Sequence, residues 1–382
     1  MSKTPQPSFI IIGFALFSMF FGSGNLIFPL FLGQIAEGQW IFASLGFFVT
    51  AVLLPLLGIL AMVVYKGDYG TFFSCCLGKK LGFLAALILL TVWIPLGSGP
   101  RCVALAYASM IPYTETTLSV CLFSGLYCIA TFFMVYKKSR ILDLLGYILT
   151  PLLLVCLFLI ISKGVNFDAL TPDAISSQTA IPLFVRGVTE GYNTMDLIAA
   201  FFFSASTIEI LRQSSLSESL CLSKTLKASL VAALLLAIIY IGLICLSASH
   251  EEPLSHVPKE QLLVQIAKNV LGHQLGMLSA FTVLLACFTT SVALTTVFAD
   301  FIANKIFKDS RQYLKALMIT QVITFGISIT GLKGVTAITG PVLTIFYPAL
   351  MIMIVINIGR KWMPQRNEIA VAPLEELETE VS

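Results

Sequence analysis

The chain has 382 residues, 57% of them hydrophobic and only 11% charged, with a mean hydropathy of +0.93. Soluble domains carry about 25% charged residues, so an ordinary soluble fold is excluded. The net charge of +3 by itself implies no nucleic-acid partner.

A membrane helix needs about 20 apolar residues. Ten candidate spans follow in order: roughly 9–33, 40–65, 82–111, 117–136, 141–162, 182–211, 227–249, 275–303, 314–331 and 334–358. The first is too long for a signal peptide and lacks a small-residue cleavage site, so it reads as a span. The third and eighth are long enough to be tilted or broken. With the N-terminus in the cytoplasm, 17 of the 23 Lys and Arg residues fall inside. Lys163, Lys259, Lys268 and Lys333 fall outside, and Arg101 and Arg186 lie in or at the edge of spans. That asymmetry follows the positive-inside rule. It supports ten helices in the cell's inner (plasma) membrane with both termini cytoplasmic.

The first span carries Gly22-Ser23-Gly24-Asn25 and then Pro29. Each glycine costs a helix about 1 kcal/mol relative to alanine, and Pro29 lacks an N–H. Two readings stand. Either the helix is discontinuous and offers backbone to a ligand, or Ser18 and Gly22 form a small-residue packing face. The sixth span holds a second polar break, Gly191-Tyr192-Asn193-Thr194 followed by Asp196. Breaks in the first and sixth of ten spans mark an inverted-repeat secondary transporter with substrate between the two broken helices. The expected fold is therefore an all-α polytopic 5+5 inverted repeat. Its repeats are residues 1–162 and 182–358, followed by a polar tail, 359–382.

The eighth span places Thr282, Ala286, Thr289, Ala293, Thr296 and Asp300 on one helical stripe facing the bundle interior. Thr289, Thr290 and Ser291 offer hydroxyls that can bind Na⁺ with backbone carbonyls, or can bond back to the preceding turn. Outside the spans, Leu262, Leu263, Ile266 and Val270 pattern a short amphipathic helix on the membrane face. Arg101 is an intramembrane charge that pairs with Asp196 or Glu190 or lines the outer vestibule. Glu209 reads as an interfacial partner of Arg212. Nine cysteines without a CxxC pair read as small apolar residues. The three histidines share one polar connection, which excludes an intramembrane histidine relay. There is no P-loop, HExxH or Rossmann fingerprint, and no acid, base and nucleophile cluster, so the chain does not read as an enzyme.

"FALFSMFFGSGNLIFPLFLG" (14–33) and "GYNTMDLIAA" (191–200) resemble the first- and sixth-helix motifs of the branched-chain amino acid:cation symporters, the BrnQ-type carriers. "GPRCVALAYASMIP", "ACFTTSVALTTVFADF" and "GPVLTIFYPALMIMIVIN" fit the same family in order. The resemblance implies uptake of leucine, isoleucine and valine coupled to Na⁺, on a leucine-transporter-like fold. By it, Gly22, Ser23, Gly24 and Asn25 with Gly191, Tyr192, Asn193 and Thr194 would hold the amino acid. The carbonyls of Ser18 and Phe21, with hydroxyls of Thr289 and Thr290 or Ser291, would hold Na⁺. Adjacent helical residues point about 100° apart, so at most two of those three hydroxyls reach one ion. The family has twelve spans and ten are counted here. The alternatives are an H⁺-coupled permease working through Asp196 or Glu209, and a non-transporting sensor or scaffold. No cofactor is expected beyond the coupling ion, and the oligomeric state is left open.

Overall fold

Apolar residues run unbroken from Phe9 to Phe20, and the Ser8 hydroxyl caps them by accepting the Ile11 N–H. This is α1, Phe9–Phe20, the first element of a computed structural model. The structure describes residues 8–36, 38–113, 119–136, 145–170, 180–213, 217–250 and 257–362. The chain leaves helical geometry at Phe21 and Gly22 and re-enters as α2, Ser23–Gln34. The two pieces are bent by 71°. Within α2, Pro29 cannot donate to the carbonyl four residues back, so Asn25's carbonyl lacks its intrahelical partner.

The second span is α3, Trp40–Val64, and the third is α4, Tyr69–Tyr113. A positive φ of 76° at Gly78 kinks α4, and a π-helical turn over Ile94–Ser98 widens it just before Arg101. Then come α5, Val120–Val135, and α6, Leu145–Gly164. The sixth span is α7, Ala180–Asn193, and α8, Asp196–Gln213, separated by Thr194 and Met195. The remaining spans are α9, Glu218–Ala248; α10, Leu262–Phe301; α11, Tyr313–Ser328; and α12, Gly331–Trp362. Among the described residues, seven helices are long and apolar enough to cross a membrane alone, and the bent α1–α2 pair adds an eighth. The 16-residue α5 and α11 complete ten elements. The polar tail lies almost wholly outside the described residues.

Two pairings organise the bundle. α1 and α2 pack on α9, and α7 and α8 pack on α3. An operation carrying span one to span six and span two to span seven exchanges these pairings. It maps the α4–α10 packing onto itself. Small residues make the close approaches, as membrane helices require where lipid supplies no hydrophobic drive. A side chain at Gly46, Gly187 or Gly191 would strike the facing helix at the α3–α7 contact. On the perimeter, Phe133, Val322 and Ile345 are 69, 69 and 71% exposed. A soluble protein would not leave such a belt uncovered, whereas lipid covers it.

The segment expected to lie on the membrane face does not. Leu262, Leu263 and Ile266 are buried in the protein, and Lys259 Nζ sits 3.3 Å over the Phe31 ring of α2. The apolar stripe was legible, but protein rather than lipid covers it. The segment is the first part of α10, joined to the rest through Gly272 at φ 75°.

Candidate functional site

The two interruptions meet at the centre of the bundle. A cavity of about 20 Å³ lies between them, lined by Gly22, Ser23, Gly24 and Asn25 on one side and Thr194, Met195 and Asp196 on the other. That is room for a single water. Two larger recesses lie toward opposite ends of α8. One, of about 580 Å³, is lined by Tyr192, Asn193 and Tyr347; the other, of about 570 Å³, by Tyr69, Glu209 and Asp300. The centre is closed between them.

Asn25 ties the breaks together. Its Oδ1 accepts the Gly22 N–H at 3.0 Å. Its Nδ2 donates to both oxygens of Asp196, at 2.7 and 2.8 Å, and also meets the Tyr240 hydroxyl. Tyr240 donates to Asp196 Oδ2 at 2.7 Å. Asp196 opens α8, where the helix dipole favours a negative charge. Arg101, from α4, donates from Nε to Ser23 Oγ at 2.9 Å and lies over the Phe28 ring. It makes no ion pair with Asp196 or Glu190; Glu190 is held by Arg186 at 2.9 Å. Arg212 reaches Glu218 at 3.7 Å, and Lys66 reaches the same carboxylate at 3.0 Å.

At the end of α1, the Ser18 carbonyl accepts the Thr290 hydroxyl at 3.1 Å and lies 3.2 Å from the Thr289 hydroxyl, which also reaches back to the Ala286 carbonyl at 2.9 Å; both threonines are from α10. The Ser18 hydroxyl bonds locally to the Ala15 carbonyl. Phe21 marks the break, its ring stacked on Phe17 and facing Tyr240. Ser291 turns away and shares a hydrogen bond of 2.9 Å with the Tyr127 hydroxyl of α5. Thr289 and Thr290 thus reach the same carbonyl, and Ser291 does not. A half-helix C-terminus carries partial negative charge, and uncharged oxygens gathered there fit a hard monovalent cation. Elsewhere on the stripe, Thr282 and Thr296 bond back to Leu278 and Val292 at 2.7 Å and offer nothing across the interface.

With this geometry, the family model described as "Branched-chain amino acid transport protein" matches residues 6–375. The chain belongs to that family. It is 29% identical over 390 residues to a Bacillus subtilis branched-chain amino acid permease, BraB, covering 97% of this chain and 84% of the relative. It is 31% identical over 376 residues to a Staphylococcus saprophyticus protein whose name describes a branched-chain amino acid carrier, covering 93 and 83%. These relatives are named as permeases and carriers, not enzymes. Among solved structures it resembles MhsT in complex with L-phenylalanine, with a TM-score of 0.60 and 17% identity over 92% of this chain and 89% of that one. It also resembles a Na⁺-coupled sialic acid symporter, with a TM-score of 0.52 and 14% identity over 94 and 80%. At such identities the likeness is one of fold: an all-α polytopic 5+5 inverted repeat of leucine-transporter type.

On this family's fold the eight residues expected to hold substrate divide. Gly22, Ser23, Gly24, Asn25 and Thr194 line the central cavity. Gly191 faces α3, against the Phe47 carbonyl and Thr50 hydroxyl. Tyr192 and Asn193 line the wider recess; Tyr192 packs edge-on to Tyr347 at 4.3 Å, and Asn193 donates to Glu190 at 3.3 Å. The second break falls at Thr194–Met195, later than the glycine suggested, because Gly191 serves helix packing. Met195 takes the left-handed turn, at φ 62°. Tyr240 and Tyr127 were not anticipated. Their only signal was a tyrosine hydroxyl in a largely apolar span.

Proposed function

We propose that this chain is a secondary active transporter that imports leucine, isoleucine and valine with Na⁺ by alternating access. One observation carries the reading: two α10 hydroxyls converge on the Ser18 carbonyl at the C-terminal end of a broken helix. Na⁺ bound by Ser18, Phe21, Thr289 and Thr290 would fix α1 against α10 and thereby favour one orientation of the bundle. The substrate would lie across the two breaks, its polar groups on Gly22–Asn25 and Thr194. Its side chain would enter the apolar part of the cavity at Phe20, Trp93 and Phe203. Such a pocket discriminates by about 1–3 kcal/mol per methylene, so the three amino acids should compete. A centre this small must widen to admit any of them, which is the movement alternating access supplies. The basic-residue asymmetry supports cytoplasmic termini.

H⁺ coupling is a second reading, favoured by one fact: Asp196 is buried with no Lys, Arg or His within ion-pair distance among the described residues. Uptake of labelled leucine into proteoliposomes, with Na⁺ and H⁺ gradients imposed separately, distinguishes the two. Accumulation driven by Na⁺ alone supports the first reading. Accumulation driven by a pH gradient without Na⁺ overturns it.

A further inference from the structure

Two charged side chains line the central cavity with no partner of opposite charge among the described residues. Arg101 has one protein hydrogen bond, from Nε to Ser23, which leaves its terminal nitrogens without a protein acceptor among the described residues. The carboxylate of Asp196, a residue 2% exposed, is held among the described residues only by the neutral donors of Asn25 and Tyr240 and by its place at the start of α8. Neither lies within 4.0 Å of an opposite charge among the described residues. Buried charge is normally paired; Asp196 is buried and Arg101 half-buried, and the two line the same cavity. A structural ion pair would simply close.

The first turn of α2 keeps them apart. Ser23 anchors Arg101 and Asn25 anchors Asp196. Residues two apart on a helix point about 200° apart, so one short turn holds the cation and the anion on opposite flanks. Between them is Gly24, where a side chain would collide with the Arg101 guanidinium. The result is a positive fork and a carboxylate facing one small space, bridged by no protein group that would neutralise both.

We propose that Arg101 and Asp196 form a zwitterion clamp. The terminal nitrogens of Arg101 take the α-carboxylate in the fork geometry that guanidinium suits. Asp196 takes the α-ammonium. The proposal rests on the transport reading and deepens it. Backbone at the breaks positions the amino acid, and these side chains require it to carry both charges.

The test uses the full-length protein in detergent and competition against labelled L-leucine. The competitors are leucinamide, which keeps the ammonium and loses the carboxylate, and 2-hydroxy-4-methylpentanoate, which does the reverse. Wild type should bind each at least about tenfold more weakly than leucine, since a site built for a polar group rejects analogues lacking it. Arg101→Gln should bring leucinamide to within about twofold of leucine while still rejecting the hydroxy acid. Asp196→Asn should show the converse. A variant that weakens all three ligands equally marks that residue as structural and overturns the clamp. Where a variant fails to fold, wild type decides: binding either analogue as well as leucine overturns the clamp and leaves transport standing. A folded wild type that binds no branched-chain amino acid overturns the transport reading and the clamp with it.

Discussion

Asn25 Nδ2 donates to both carboxylate oxygens of Asp196 at 2.7 and 2.8 Å, across 171 residues of chain. With Oδ1 on the Gly22 N–H, the whole amide is committed to holding one break against the other. Asn25→Ala therefore leaves a buried carboxylate short of donors and a buried N–H without its acceptor. Each such loss costs about 1–3 kcal/mol. The hydrogen bonds give this substitution a clear folding cost beside any loss of substrate binding. In a double-mutant cycle with Asp196→Asn, thermal unfolding in detergent should give a coupling of about 1 kcal/mol or more. Simple additivity of the two losses would refute the direct link.

Thr289→Ala with Thr290→Ala should raise the Na⁺ concentration for half-maximal leucine uptake severalfold. Both hydroxyls reach Ser18, so both are candidate ligands. Ser291→Ala should leave Na⁺ dependence unchanged, because that hydroxyl is engaged with Tyr127. Leucine uptake measured against Na⁺ concentration checks all three positions. If the double variant matches wild type, the hydroxyls are not in the ion site.

Much of this architecture is legible in the sequence because lipid forces simple choices. Long apolar runs must be helices, and polar residues at membrane depth must face protein. That logic located the breaks near Gly22 and Gly191 and the inward stripe through Thr289. It failed where one residue type serves two purposes. Glycine at 191 permits close packing on α3, while the turn falls on Met195, a residue with no turn preference. Tyr240 was hidden for a related reason: a tyrosine in an apolar span looks the same whether its hydroxyl holds a carboxylate or reaches the headgroups. Partner choice also stayed out of reach. Arg101 anchors on Ser23, and Glu190 takes Arg186, four residues earlier on the same helix.

Gly191→Ala separates packing from binding. Its added methyl would meet the Phe47 carbonyl at 2.8 Å and the Thr50 hydroxyl more closely still. Thr50 itself bonds the Val188 carbonyl at 2.9 Å, so it is not free to move aside. Overpacking of this kind costs about 1–3 kcal/mol. The expected outcome is a lower melting temperature with unchanged leucine affinity in the folded fraction. An intact melting temperature with weakened leucine binding would instead assign Gly191 to the substrate.

Met195 holds the second break at φ 62°. The left-handed region costs an L-residue about 1–2 kcal/mol, and the cost is tolerated only where the surroundings fix the conformation. Here they do: the Met195 N–H donates to the Tyr192 carbonyl at 3.1 Å, and its own carbonyl accepts from Ile198 and Ala199 as α8 begins. Glycine meets no such penalty, though it loses more chain entropy on folding, by about 0.5–1 kcal/mol. Met195→Gly should therefore leave thermal stability near wild type. Met195→Val puts a β-branched residue at positive φ, a genuine outlier, and should be about 1–2 kcal/mol less stable than Met195→Gly. Melting curves of the two variants side by side decide. Equal stabilities would mean that the chain relaxes out of the left-handed turn, and that the break is set by Asn25 and Asp196 rather than by the backbone at Met195.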